Sequence, residues 1–225
     1  MDIEQIKNAL NDSNPQARMK GIRELRNYEA NIATPLLLDH LQDSEFLVRS
    51  FVAMGLGKKR SQAGYTALLE MINSDSDPNV RSEAANSLSF YGDVAIPHLR
   101  EMYEKDAHWL VRRSIIAAMV DLKAPQELLE ICAIGISGED QPVVESCLSC
   151  LGLFAGSPQQ ESALELLLPF VDDRSWRIRL QIAKSLVRYD LDEATPIAQR
   201  VNAALEKLKT DSDHRVVGAV LESLV

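Results

Sequence analysis

Asp75-Ser76-Asp77-Pro78-Asn79-Val80-Arg81-Ser82-Glu83-Ala84-Ala85-Asn86-Ser87-Leu88 is the stretch that decides the fold. After Arg81, small or apolar residues fall three, four and seven places on, at Ala84, Ala85 and Leu88. That is the stripe of an amphipathic helix, not the alternation of a strand. Pro78 suits the first helical position, where the missing N–H would have no partner anyway. The same frame recurs along the chain, with anchors at Arg18, Arg49, Arg81, Arg112, Glu145, Arg179 and Val217. Six residues before each anchor stands an acid: Asp12, Asp43, Asp75, Asp106, Glu139, Asp173 and Asp211. Only 33 of the 225 residues are acidic, so an acid in every copy of one frame marks a true internal repeat.

The other copies carry the same stripe: Val52, Ala53, Leu56; Ile115, Ile116, Met119; Ile182, Ala183, Leu186; Val220, Leu221, Leu224. A second helical segment precedes each acidic turn, and Gly57, Gly92 and Gly156 are expected to end helices in the left-handed region. The unit is helix, turn, helix, seven times in tandem. One such pair cannot bury its apolar stripe, so neighbours must stack. The expectation is an all-α, right-handed α-solenoid of about seven helical pairs, with residues 1–225 as a single repeat domain.

Asp77-Pro78-Asn79-Val80-Arg81 through Leu88, followed by Gly92-Asp93-Val94-Ala95-Ile96-Pro97-His98-Leu99, resembles a HEAT repeat. More narrowly it resembles the phycobilisome-lyase (PBS lyase) HEAT-like repeat of bacteria, particularly cyanobacteria. The resemblance spans the chain and is weakest in the first, fifth and seventh copies. It implies a non-catalytic protein-binding adaptor whose partner is a phycobiliprotein or another photosynthetic complex, in phycobilisome degradation or pigment turnover. The alternative it implies is one subunit of a bilin lyase that attaches or detaches a tetrapyrrole at a phycobiliprotein cysteine.

Composition narrows the classes further. A net charge of −9 argues against a protein that binds nucleic acid or anionic lipid through its overall field. It also disfavours the nucleic-acid binding of HEAT-like DNA glycosylases. The excess is local: residues 61–172 carry 6 basic and 17 acidic side chains, whereas residues 1–60 carry 9 and 8. That acidic middle suits a partner with basic patches or a solvated face. Met1-Asp2-Ile3-Glu4 does not open a signal peptide, the run Leu166–Val171 is too short to span a bilayer, and three cysteines make no disulfide framework. The expected location is the cytoplasm, without membrane insertion.

Four sets of residues are candidate sites. The acids and arginines Asp12, Arg18, Asp43, Arg49, Asp75, Arg81, Asp106, Arg112, Asp173 and Arg179 form a candidate structural ladder along the stack. In it the acid accepts N–H bonds at the start of the second helix of its pair, and the arginine reaches carboxylates or turn carbonyls of its own or the adjacent repeat. Phe46, Trp109 and Trp176 share one position, three residues before the anchor, and are candidate partner contacts; the other reading is that each covers a neighbouring turn. Cys132, Cys147 and Cys150 could hold iron or an Fe–S cluster, or pack as small apolar residues. No cofactor is expected beyond those alternatives and a bilin. His40, His98, His108 and His214 share no spacing, and none is followed by Glu, unlike the His-Glu dyads of HEAT-repeat di-iron hydroxylases. No phosphate loop or nucleophile elbow occurs, so no catalytic residue is assigned. On the ladder reading, Asp106→Ala or Arg112→Ala is expected to destabilise the fold by roughly 1–3 kcal/mol, seen as a lower denaturation midpoint.

Overall fold

The computed structural model describes residues 1–189 and 195–222, and within them the regular structure is fourteen α-helices with short 3₁₀ turns and no strand. The chain divides into two compact units, Met1–Ala124 and Pro125–Val225. The first contains α1 (Ile3–Leu10), α2 (Pro15–Glu24), α3 (Ala30–Leu38), α4 (Phe46–Lys59), α5 (Gln62–Ser74), α6 (Pro78–Ser89), α7 (Ile96–Lys105) and α8 (Trp109–Asp121). The second contains α9 (Pro125–Gly135), α10 (Gln141–Leu151), α11 (Gln160–Leu167), α12 (Trp176–Leu186), α13 (Pro196–Leu208) and α14 (His214–Leu221). Odd and even helices pair, and the pairs stack as an α-solenoid within each unit. In the first unit α2, α4, α6 and α8 lie side by side in that order; in the second, α10, α12 and α14 do so.

The helix starts follow from the turn chemistry. The periodic acid is not itself the N-cap but stands two residues before it. Its carboxylate accepts the N–H of the capping residue: Asp43 from Glu45 at 2.9 Å, Asp75 from Asp77 at 2.9 Å, Asp106 from His108 at 2.8 Å, Asp173 from Ser175 at 2.7 Å and Asp211 from Asp213 at 2.8 Å. Each is an Asx turn, which reverses the chain without a glycine. In several copies the capping side chain then takes the N–H two further on, as Asp77 does from Asn79 and Asp213 from Arg215.

The stripe residues make the core. Val52, Ala53 and Leu56 on α4, Ala84, Ala85 and Leu88 on α6, and Ile182, Ala183 and Leu186 on α12 have no solvent exposure. Burying a Leu or Ile side chain in this way stabilises by about 1.5–3 kcal/mol. The last copy departs from the pattern: Val220 is buried, Leu221 is exposed, and Leu224 lies outside the described residues.

Gly92 and Gly156 adopt φ of +77° and +73° as expected, but Gly57 does not end its helix. Helix α4 runs on to Lys59 and closes at Arg60, which takes the left-handed conformation itself at φ +49°. Gly57 serves a different need, because a Cβ there would sit 2.7 Å from Ser87 Cβ and 3.0 Å from its Cα. Gly152 meets Ser185 in the same way, with a would-be Cβ 2.9 Å from the serine Cα and Cβ. These glycine–serine contacts set how closely successive even-numbered helices approach. Gly57→Ala is expected to cost about 1–3 kcal/mol by overpacking, read from the urea midpoint, and Ser87→Gly in the same chain should restore part of it.

Candidate partner-binding surface

The arginines on the even-numbered helices stand one turn inside the helix, where a long side chain reaches back over the preceding loop and across to the next. Arg18 donates Nε and Nη2 to the two oxygens of Asp43, both at 2.7 Å, and Nη1 to the Asp12 carbonyl at 3.0 Å. Arg49 grips Asp75 at 2.7 and 2.9 Å and the Asp43 carbonyl at 2.8 Å. Arg81 holds Asp106 at 2.6 and 3.3 Å and the Asp75 carbonyl at 2.9 Å. In the second unit Arg179 holds Asp211 at 2.6 and 2.8 Å and the Asp173 carbonyl at 2.7 Å. Each fork is bidentate, the strongest geometry open to this pair. Arg112 is different: its Nε is spent on the Asp106 carbonyl at 2.8 Å, and its guanidinium lies over the Tyr103 ring, 5.5 Å from the centroid.

These groups are well removed from water, with Asp43 6% and Arg18 12% exposed. Burial alone would push the carboxyls of Asp43, Asp75 and Asp106 up. The arginine forks and the turn N–H groups outweigh it and hold all three below the usual carboxylate range. At Asp211 the Arg179 hydrogen bonds are the largest influence and act in the same direction, against burial. The carboxylate clefts are polar; one of about 360 Å³ is lined by Asp43, Arg49, Glu70, Asp75 and neighbouring serines.

The shared aromatic position is the first residue of its helix, and the three side chains there differ in surroundings. Trp109 is 39% exposed, with His108 stacked beside it at 5.9 Å and Arg113 5.8 Å from its centroid. Trp176 is half-buried, with Arg215 3.2 Å from its centroid and Arg177 at 4.6 Å. Arg215 belongs to the next repeat and is itself gripped by Asp213 at 2.7 Å, so Trp176 lies beneath a neighbouring turn. Phe46 is half-buried, while Leu47 beside it is 46% exposed.

Cys132 on α9 and Cys147 and Cys150 on α10 are free and buried. The hydrogen bonds of the Cys147 and Cys150 thiols, together with burial, push Cys132 upward, so it stays a neutral thiol at physiological pH. Among the described residues no group of three or more His, Cys, Asp or Glu is placed to hold a metal ion.

A feature the repeat pattern did not reveal lies between α2 and α4. Ile22, Leu25, Leu37, Phe51, Met54 and Gly55 line an apolar pocket of about 190 Å³. Arg23, Arg26, Lys58 and Lys59 surround it. The signal was present in α4, where Phe51 and Met54 are apolar yet fall outside the Val52–Ala53–Leu56 stripe. No helix among the described residues is long and apolar enough to cross a membrane.

Residues 34–120 match the HEAT-repeat family model. They coincide with the stretch from α3 to α8. No curated protein matches the chain by sequence. Solved structures share the fold. YibA of Escherichia coli is 16% identical, with 97% of this chain and 80% of that one aligned at a TM-score of 0.67. A chain of the CpcE–CpcF complex of phycocyanin lyase from Nostoc sp. PCC7120 is 17% identical over 100% of this chain and 95% of that one, at 0.54. A chain of the Kap95p–RanGDP structure aligns with 98% of this chain and 33% of its own length at 12% identity and a TM-score of 0.66. At such identities the likeness is one of fold.

A carboxylate whose pKa is lower folded than unfolded adds stability above the unfolded value of about 4, and that stability is lost as pH falls through the folded value. Asp75→Asn keeps an oxygen for the Asp77 N–H but removes the charge facing Arg49. It is expected to be less stable than wild type by roughly 1–3 kcal/mol at pH 7. The gap should close as the pH drops below about 4, which parallel urea titrations at several pH values would show.

Proposed function

We infer that the protein is a non-catalytic HEAT-repeat scaffold that holds another protein against the exposed faces of its even-numbered helices. The observation that carries this is the row α2, α4, α6 and α8. The stripes of α4, α6 and α8 are consumed by the core, yet the row leaves Leu47, Lys58, Phe90, Trp109 and Arg113 in solvent. A broad surface of large side chains mounted on a rigid stack is what protein recognition needs. Trp109 is the preferred anchor of the aromatic set, since Trp176 lies under Arg215.

The partner in this reading is a phycobiliprotein or another photosynthetic complex, in antenna degradation or pigment turnover. Resemblance of the Asp77–Leu99 motif to the PBS lyase type supports it, alongside the fold shared with the CpcE–CpcF chain. The acidic excess of residues 61–172 suits a partner that carries basic patches. Purified protein mixed with holo-phycobiliprotein is expected to co-elute in size-exclusion chromatography, and Trp109→Ala to weaken the complex about tenfold or more. Covalent bilin transfer to an apo-phycobiliprotein would instead identify a lyase subunit, and absence of any complex would remove the antenna partner.

A further inference from the structure

The pocket between α2 and α4 has the composition of a small recognition site. Its floor is apolar and built from three helices and the turn after α2, with Leu37 reaching in from α3. Gly55 keeps it open on that side, since a Cβ there would fall 2.9 Å from Leu37 Cδ2. Lys59 is committed to structure: its ammonium donates to the carbonyls of Arg26 and Tyr28, which ties the end of α4 to the loop after α2. Arg23, Arg26 and Lys58 are exposed at the rim. None of these three makes an ion pair among the described residues, unlike Arg18 and Arg49 on the same two helices. The carboxylate acting on Lys58 from α6 is Glu83, which burial disposes towards its neutral form.

Three cations converge on one apolar hollow without an ion pair among the described residues, in a protein that is acidic overall. Cations set about an apolar pocket attract anionic groups while the pocket takes an apolar one. The volume of about 190 Å³ chooses the kind of ligand. It falls below the roughly 300–1,000 Å³ of pockets that enclose cofactors and drug-sized molecules. It is room for a single large apolar side chain. We propose that the α2–α4 pocket docks an acidic peptide segment of a partner protein, seating one aromatic or leucine side chain between Phe51 and Met54 while flanking carboxylates pair with Arg23, Arg26 and Lys58. This rests on the scaffold reading and gives it a contact of opposite charge to the acidic excess of residues 61–172.

The probe is a fluorescein-labelled synthetic peptide with one phenylalanine flanked on both sides by pairs of aspartates, titrated with the full chain and followed by anisotropy. Saturable binding is expected, weakening with added salt and lost when the aspartates become asparagines or the phenylalanine becomes alanine. Arg23→Glu combined with Lys58→Glu is expected to weaken binding about tenfold or more. Both side chains are exposed, so the helical circular dichroism and melting midpoint should stay at wild-type values. Met54→Gln, which leaves the rim intact, should also weaken it. Absence of saturable binding, equal binding by the reversed-charge variant, or saturation by decanoate or a single-stranded oligonucleotide in place of the peptide would overturn the proposal. If the reversed-charge variant captures holo-phycobiliprotein as wild type does but loses the peptide, the pocket stands apart from that partner. If wild type captures no phycobiliprotein yet binds the peptide, the antenna reading fails and this site remains.

Discussion

A guanidinium that bonds the backbone of its own turn with one nitrogen, and the carboxylate of the following turn with two others, converts a flexible chain into a measured joint. Arg18, Arg49, Arg81 and Arg179 all do this. The carboxylate at the far end is already engaged by the N–H of the next helix cap, so the joint fixes where that helix starts as well as how far away it lies. Charges this dry would be expensive alone; paired, and with remaining oxygens satisfied by N–H groups, they set register instead. The apolar stripes provide the bulk of the stabilisation, but stripes slide. The arginine forks do not.

With spacing fixed along the turns at the helix starts, the C-terminal ends of the even-numbered helices can come together closely, and Gly57 against Ser87 and Gly152 against Ser185 are where they do. Close approach uses the inward positions fully and leaves the outward ones to solvent. That division explains why residues such as Phe51 and Met54, apolar but off the stripe, end up lining a pocket rather than filling the core. It also separates two kinds of charge. The ladder carboxylates and arginines neutralise each other out of solvent, whereas the cations at the α2–α4 rim and the acids of residues 61–172 other than Asp75 and Asp106 remain to shape the outer field.

Much of the architecture was legible because the repeat writes the same physics several times. A periodic acid, an arginine six places on and a stripe at helical spacing together point to helix pairs that must stack. The position of the acid relative to the cap was not legible, since an Asx turn and a cap use the same residue types two places apart. Gly57 reads in sequence as a terminator because glycine serves both left-handed stops and tight contacts, and only the neighbour across the interface distinguishes them. Trp109 and Trp176 look equivalent in sequence, yet Arg215, far away in the chain, covers one of them. The α2–α4 pocket needed three dimensions for the same reason. Arg112 also departs from its sequence peers: the acid next in the frame is Glu139, where the arginines that fork have an aspartate.

The arginine joint has the same chemistry at every clean copy, which makes it an interchangeable coupling. The carboxylate that receives Arg18 is chemically the one that receives Arg49 or Arg81, and each is presented by the same turn. A chain assembled from such couplings can in principle gain or lose a whole helix pair without redesign of the seam, because the exposed ends left by an excision are again an arginine and an aspartate in matching poses. The outer faces carry no such constraint. Length and surface chemistry are therefore separately adjustable in this molecule, and a binding face such as the α2–α4 hollow can be reshaped while the mounting beneath it stays standard.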